Sequence, residues 1–271
     1  MIIVKNLYHT YPSGIKALKN VSLKIEDGEF VCIMGENGAG KTTLVKHFNR
    51  LLDPTKGKII IHGKDISQFS TALLSRKIGI VFQNPNNQLF CETVEKEIKF
   101  GLRNFGFSER EIKERTNWAL EKLNLTEFRK NSPFELSEGE KKKIAMASII
   151  AWNPSIIILD EPTIAQDYEQ KRVLFKLMND LWKEKKTIIM ITHDVEFVAD
   201  LCPRVILMSK GKIIADGPAE NILTNKHLVE KTSLVIPHIG QVFADIPKIK
   251  EKIINIRNAK KELSSFLGVR K

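Results

Sequence analysis

Apolar residues recur along this chain at intervals of two, at intervals of three to four, or in short unbroken runs, and each spacing predicts a different element. MIIVKNLYHTY and ALKNVSLKI alternate as half-buried strands do, EFVCIM is an apolar run of strand length, and GENGAGKTTLVKHFNRLL then passes into a helix. GKIIIHGKDI reads as a hairpin and IGIVF as a further strand-like run. From about Glu92 to Ala151 the spacing lengthens to three and four, as in REIKERTNWALEKLNL, which predicts a mostly helical stretch. Strand and helix then alternate again through SIIILDEP, EQKRVLFKLMNDLWKEK and TIIMITH, before VILMSKGKIIADGP closes as a hairpin and a basic, mainly helical tail follows. This order predicts an α/β core, residues 1–83 and 152–224, interrupted by a helical subdomain over about 84–151 and followed by an extension over 225–271.

With 271 residues the chain can bury a proper core. The formal charge of +11 raises the question of nucleic acid, yet from Asn225 onward 10 Lys and Arg stand against 4 Asp and Glu, so much of the excess sits in the tail and no single basic face is implied. The longest apolar runs are of strand length and MIIVKNLYH lacks a signal-peptide stretch, so a cytoplasmic protein is expected. Cys32, Cys91 and Cys202 form no CxxC pair, which leaves ordinary packing as their role.

Candidate chemistry begins with Gly35, Glu36, Asn37, Gly38, Ala39, Gly40, Lys41 and Thr42, which fit G-x-x-x-x-G-K-[ST] between a strand and a helix and are followed by Thr43. Such a loop curls backbone N–H groups round phosphate oxygens, Lys41 reaches the β- and γ-phosphates, and the Thr42 hydroxyl ligates Mg²⁺. A nucleoside triphosphate is the expected ligand. Far downstream the buried-strand run of SIIIL delivers Asp160 and Glu161 to its carboxyl end, where ligands bind in parallel sheets. Asp160 is suited to holding Mg²⁺ and Glu161 to polarising the attacking water. Ser137 and Glu140 have the S-x-x-E spacing of a capping box, which by itself announces only a helix start.

Taken in order, GENGAGKT, LSEGE, ILDEP and ITHD resemble the motifs of the ATP-binding subunits of ABC transporters, over residues 1 to about 224. The resemblance implies a P-loop NTPase fold of the ABC ATPase type, with ATP and Mg²⁺ as cofactors and a second ABC ATPase chain, identical or different, packed head to tail. Ser137, Gly139 and Glu140 would belong to the signature segment that meets the partner's nucleotide, Tyr11 would stack on adenine, Asp167 would lie in the inter-subunit loop, and His193 would contact the γ-phosphate. Gln83, which opens QNPNNQLF, would touch Mg²⁺ and the attacking water and link the core to the helical subdomain. The chain departs from the family where LSEGE replaces LSGGQ, where Lys143 replaces an arginine, and where PTIAQD lacks the commoner Gly-Leu pair. The form of QNPNNQLF and of TVEKEIKFGLRNFGFSEREIKER is similar to the ATPases of energy-coupling factor importers, including the cobalt and nickel (CbiO) type. That implies an ATP hydrolase on the cytoplasmic face of the membrane, working with a transmembrane coupling subunit and a substrate-binding membrane subunit to import a vitamin or transition-metal ion, with no nucleic acid bound. The alternative is a soluble ABC ATPase acting on ribosomes, nucleic acid or cluster assembly. Ribosomal proteins of that kind usually carry two cassettes, and one is found here.

Overall fold

The computed structural model describes residues 1–244, 246 and 252–266. The chain opens with strands β1 (Ile2–Thr10), β2 (Lys16–Ile25) and β3 (Phe30–Met34), followed by helix α1 (Lys41–Phe48). Strands β4 (Lys56–Ile61) and β5 (Lys64–Asp65), helix α2 (Thr71–Ser75) and strand β6 (Ile78–Val81) come next. Three helices, α3 (Val94–Asn104), α4 (Glu109–Lys122) and α5 (Glu138–Ile150), make up the helical insertion. Alternation resumes with β7 (Ile156–Asp160), α6 (Tyr168–Lys183), β8 (Thr187–Ile191), α7 (Val195–Leu201) and β9 (Arg204–Ser209). Strand β10 (Lys212–Pro218) and helices α8 (Ala219–Leu223), α9 (Lys226–Lys231), α10 (His238–Ala244) and α11 (Ile256–Phe266) complete the described chain. Within the 225–271 extension, residues 245, 247–251 and 267–271 lie outside the described residues.

Two sheets share the core. One is antiparallel, in the order β2-β1-β4-β5, and the other runs β10-β9-β3-β8-β7-β6. In the second sheet β9, β3, β8, β7 and β6 are parallel and β10 pairs antiparallel at the edge. The difference follows from sequence pattern. Every residue of β3, β6, β7 and β8 is buried, as continuous apolar runs covered on both faces must be, whereas β1 and β2 bury only one face. Helix α1 lies in the apolar layer between the sheets, where Leu44, Val45 and Phe48 meet Val4, Leu23, Ile33 and Ile191. The helical insertion and α6 cover the opposite face of the parallel sheet.

Helix α5 belongs to both regions. Ile144 to Ile150 are all buried, so this helix is enclosed on all sides at its C-terminal half, packing on α3 and α4 and also on β6. Helix α5 is thus one physical link between the insertion and the core. On the far edge Arg204 ties the sheets together, donating to both carboxylate oxygens of Asp216 at 2.8 and 2.7 Å, to Glu29 at 2.7 Å and to the Lys24 carbonyl at 3.1 Å.

Candidate active site

The turn from β3 into α1 depends on two glycines. At Gly35, φ is 142° and a Cβ would stand 2.0 Å from the Met208 carbonyl oxygen on β9, while at Gly40, the N-cap of α1, φ is 99° and a Cβ would stand 2.6 Å from the Ala17 carbonyl oxygen. No other side chain fits either position. The loop consequently wraps close to β2 and β9 and aims the N-terminus of α1 into a cavity of about 320 Å³. Tyr11, Asn37, Gly38, Ala39, Gly40, Lys41, Thr42, Thr43, Gln83, Asp160 and Glu161 all line it. The Tyr11 hydroxyl lies 3.0 Å from Thr43 Oγ1, which fixes the ring at the mouth. Gly35 and Glu36 do not line the cavity but shape its wall: the Ser209 hydroxyl donates to Glu36 Oε1 at 3.0 Å. Lys41 Nζ donates to the carbonyls of Gly35 at 2.7 Å and Glu36 at 2.9 Å. Burial depresses the pKa of this ammonium, against the pull of the Glu161 and Asp160 carboxylates in the cavity and of Glu36 behind its wall.

Strand register brings the downstream residues to the same place. In the parallel pair β7 and β8, Asp160 sits opposite Ile191, and the Glu161 N–H donates to the Ile191 carbonyl at 2.8 Å. The residues following each strand therefore emerge side by side. His193 Nδ1 lies 3.1 Å from Glu161 Oε1, and the Thr42 hydroxyl donates to Asp160 Oδ2 at 2.7 Å. The His193 turn is itself braced. Asp194 caps α7 by accepting the Phe197 N–H at 3.0 Å, and Lys171 of α6 pairs with it at 2.6 Å.

Burial raises the pKa of Asp160, with Glu161 adding to the effect and the Thr42 hydroxyl and Lys41 opposing it. Its Oδ1 is buried without a hydrogen-bond partner among the described residues. An unpartnered carboxylate oxygen beside a hydroxyl is a hard oxygen donor set that suits Mg²⁺, which commonly takes one or two protein oxygens and completes its shell with phosphates and water. Among the described residues no group of three or more His, Cys, Asp or Glu could hold a metal ion without such help.

The signature segment lies apart from this cavity. Ser137 caps α5 in a full capping box, its hydroxyl and N–H both 2.8 Å from Glu140 Oε2. Gly139 faces Gln170 so closely that a Cβ would stand 2.5 Å from the amide oxygen. Asp167 caps α6 in a second capping box, accepting the Gln170 N–H at 2.8 Å. The two carboxylates that LSEGE adds point away from the chain's own cavity: Glu140 closes its cap and Glu138 pairs with Lys141 at 3.0 Å.

QNPNNQLF is an ordered turn rather than a plain connection. Gln83 faces the cavity, Asn84 accepts the Asn86 N–H at 3.0 Å, and Gln88 accepts the Phe82 N–H at 3.2 Å. Asn86 reaches Glu138 of α5 at 3.4 Å. Beyond it, the buried Glu97 carboxylate takes the N–H groups of Phe90 and Cys91 at 2.9 and 2.8 Å, which sets Phe90 edge-on to Phe100 with both rings exposed.

Sequence reasoning missed Glu97 and Lys142, whose Nζ donates to the Glu161 carbonyl at 2.7 Å. Both are buried charges on helices of the insertion. Their signal is a charged residue at a position that the helical period assigns to a buried face, Glu97 three residues after Val94 and Lys142 three residues before Ala145.

Comparison with known proteins agrees with this geometry. The pattern of the ABC transporter family matches residues 18–164. The energy-coupling factor transporter ATP-binding protein EcfA of Methanosphaera stadtmanae is 41% identical over 90% of this chain and 88% of its own length. EcfA2 of Acetivibrio thermocellus is 40% identical over 98% of both. Longer relatives exist: the chain spans 43% of a putative ABC transporter ATP-binding protein of Methanosarcina mazei, at 40% identity. Among solved structures, CbiO1 of Clostridium perfringens, part of an ABC transporter complex, superposes with a TM-score of 0.75 at 35% identity, covering 90% of this chain and 98% of the other. A dimeric ATP-binding cassette, MJ0796 with ADP and phosphate bound, gives 0.75 at 31% identity, over 81% and 99%.

Proposed function

This chain belongs to the ABC transporter family of ATP-binding proteins, and from that membership we propose the residue roles and partners that follow. It is an ATP-hydrolysing subunit of the energy-coupling factor type and powers import through membrane partners. The observation that carries the mechanism is the convergence of Lys41, Thr42, Asp160, Glu161 and Gln83 on one cavity. The amides of residues 38–43 and the Lys41 ammonium bind the triphosphate, with Tyr11 against the base. Thr42, Asp160 and Gln83 would hold Mg²⁺, which when bound neutralises charge between the β- and γ-phosphates. Glu161 takes the proton of the water that attacks the γ-phosphorus as the bond to the β-phosphate oxygen breaks. His193, hydrogen-bonded to Glu161, keeps that carboxylate aimed at the water and meets the γ-phosphate.

Ser137, Gly139 and Glu140 lie outside this cavity, which supports their use against the nucleotide of a second copy or a related chain, and Asp167 belongs to the same interface. Membrane coupling runs from Gln83 through Asn86 and Glu138 to the aromatic pair Phe90 and Phe100. Two exposed rings held edge-on by a buried carboxylate are the kind of rigid apolar anchor on which interfaces depend. Their partner is a transmembrane coupling subunit, itself joined to a substrate-binding membrane subunit. No described helix is long and apolar enough to cross a membrane. The likeness to energy-coupling factor ATP-binding proteins and to CbiO1 supports a chain that sits peripherally on the cytoplasmic face and drives uptake of a vitamin or of cobalt or nickel.

The test uses Phe90→Asp. Co-expressed with its transmembrane coupling subunit, the wild-type chain is expected in the membrane fraction, and Phe90→Asp is expected in the soluble fraction with the ATPase rate of the isolated subunit intact. Retention of Phe90→Asp on the membrane at wild-type level contradicts the docking assignment.

A further inference from the structure

Lys142 is only 4% exposed and lies on α5, in the turn after the signature segment. Its Nζ donates to the carbonyl oxygen of Glu161 at 2.7 Å. The neighbouring lysines are directed elsewhere: Lys141 pairs with Glu138, and Lys143 is only half-buried. The lysine directed at the catalytic core is thus Lys142.

The bond falls on an unusual piece of backbone. Glu161 has φ of 51°, a left-handed conformation that a non-glycine residue holds only when its surroundings fix it, at a cost on the order of 1 kcal/mol or more. Two contacts fix it here. On one side the Glu161 N–H donates to the Ile191 carbonyl of β8 at 2.8 Å, and on the other the Glu161 carbonyl accepts from Lys142 of α5. Removing Lys142 leaves a carbonyl in the interior without its donor and frees the peptide to rotate.

We propose that Lys142 is a positioning residue for hydrolysis: its ammonium locks the left-handed peptide of Glu161 and so aims the carboxylate at the attacking water. The inference rests on the role proposed above for Glu161. A structural ion pair would set the lysine against a carboxylate, whereas Lys142 meets a main-chain oxygen at the residue whose direction matters. The positive charge is also felt by the Glu161 and Asp160 carboxylates, which oppose the depression of the Lys142 pKa by burial. Because α5 also carries Ser137 and Gly139, the same bond ties the placement of the signature segment to the catalytic carboxylate of its own chain. An exposed lysine on a solvated face could do none of this.

The experiment compares Lys142→Met, which keeps the stem and removes the charge, with Lys142→Arg, which keeps a cationic donor. Turnover number, KM for ATP, active sites counted by binding of a fluorescent ATP analogue, and the thermal midpoint are measured for each. Lys142→Met is expected to lower kcat by about tenfold or more per active site, the scale on which small misplacements of reacting groups act, with KM within twofold. Lys142→Arg is expected to recover most of that loss. In a Glu161→Gln background, Lys142→Met is expected to leave the residual rate unchanged, since it acts through Glu161. The proposal is overturned if Lys142→Met keeps kcat within twofold per active site, or if it lowers the residual rate equally in the Glu161→Gln background. Wild-type turnover by Glu161→Gln alone would instead overturn the role of Glu161, an outcome read independently of Lys142.

Discussion

His193 Nδ1 lies within 3.1 Å of both carboxylate oxygens of Glu161, although the two residues are 32 positions apart in the chain. Their environments differ sharply: the Glu161 side chain is 8% exposed and the imidazole 60%. The buried acid therefore has a solvent-facing partner that can meet a ligand from outside while steering the acid within. Glu161 owes its position to β7 and His193 to β8, so the contact is a consequence of parallel register.

Removing this partner takes away one γ-phosphate contact and leaves those of Lys41 and the loop amides intact. His193→Ala is expected to lower steady-state hydrolysis by about a hundredfold, the scale on which misplacing a reacting group acts, while ATP affinity in equilibrium binding stays within about threefold. Unchanged hydrolysis in a phosphate-release assay would remove His193 from the mechanism.

Asp160 carries a cost in the metal-free protein. Burial holds its folded pKa above the ordinary 3.8, so folding disfavours the ionised form, and that penalty is complete only above the raised value. Asp160→Asn keeps an acceptor for the Thr42 hydroxyl and removes the charge. With a chelator present at pH 7, the variant is expected to melt a few degrees higher than wild type, the size of shift that about 1 kcal/mol produces in chains of this order. That advantage should shrink as pH falls through the raised pKa and vanish below 3.8. Mg²⁺-dependent hydrolysis should be lost at every pH. A variant less stable than wild type at pH 7 in thermal melts would show that Asp160 is compensated in the folded state.

The loop after Glu161 contains a second polar group placed at a cost. Gln166 has both amide atoms buried without partners among the described residues. An unpaired buried polar group costs about 1–3 kcal/mol. Gln166→Leu is accordingly expected to raise stability by about 1–2 kcal/mol in urea unfolding, with ATP binding by the isolated chain unaffected. A loss of stability on this substitution would mean that Gln166 is satisfied in solution.

Much of this was legible in the sequence because the informative signals are local. The phosphate loop announces itself in eight consecutive residues, and β7 and β8 read as buried strands because an apolar run covered on both faces needs no partner to be recognised. Other features are not local. Alternation in β1 and β2 shows that one face is buried but not that these strands leave the main sheet and cover α1. The order within QNPNNQLF comes from side chains reaching Phe82, Glu138 and Glu97, partners that no composition rule for loops can supply. Lys142 stood in a run of three lysines, and only the packing of α5 separates the one turned inward from its two neighbours. The placement of Ser137 and Gly139 outside the chain's own cavity was expected from the family resemblance alone.

The role of Glu161 is tested most directly by the nucleotide recovered from Glu161→Gln protein after several minutes with Mg²⁺ and ATP. The variant retains every phosphate contact of Lys41 and the loop amides and lacks only the carboxylate that takes the proton of water. It is expected to return bound ATP unhydrolysed under conditions in which wild type returns ADP. Recovery of ADP from the variant at the wild-type rate would contradict the assignment of Glu161 as the group that activates water.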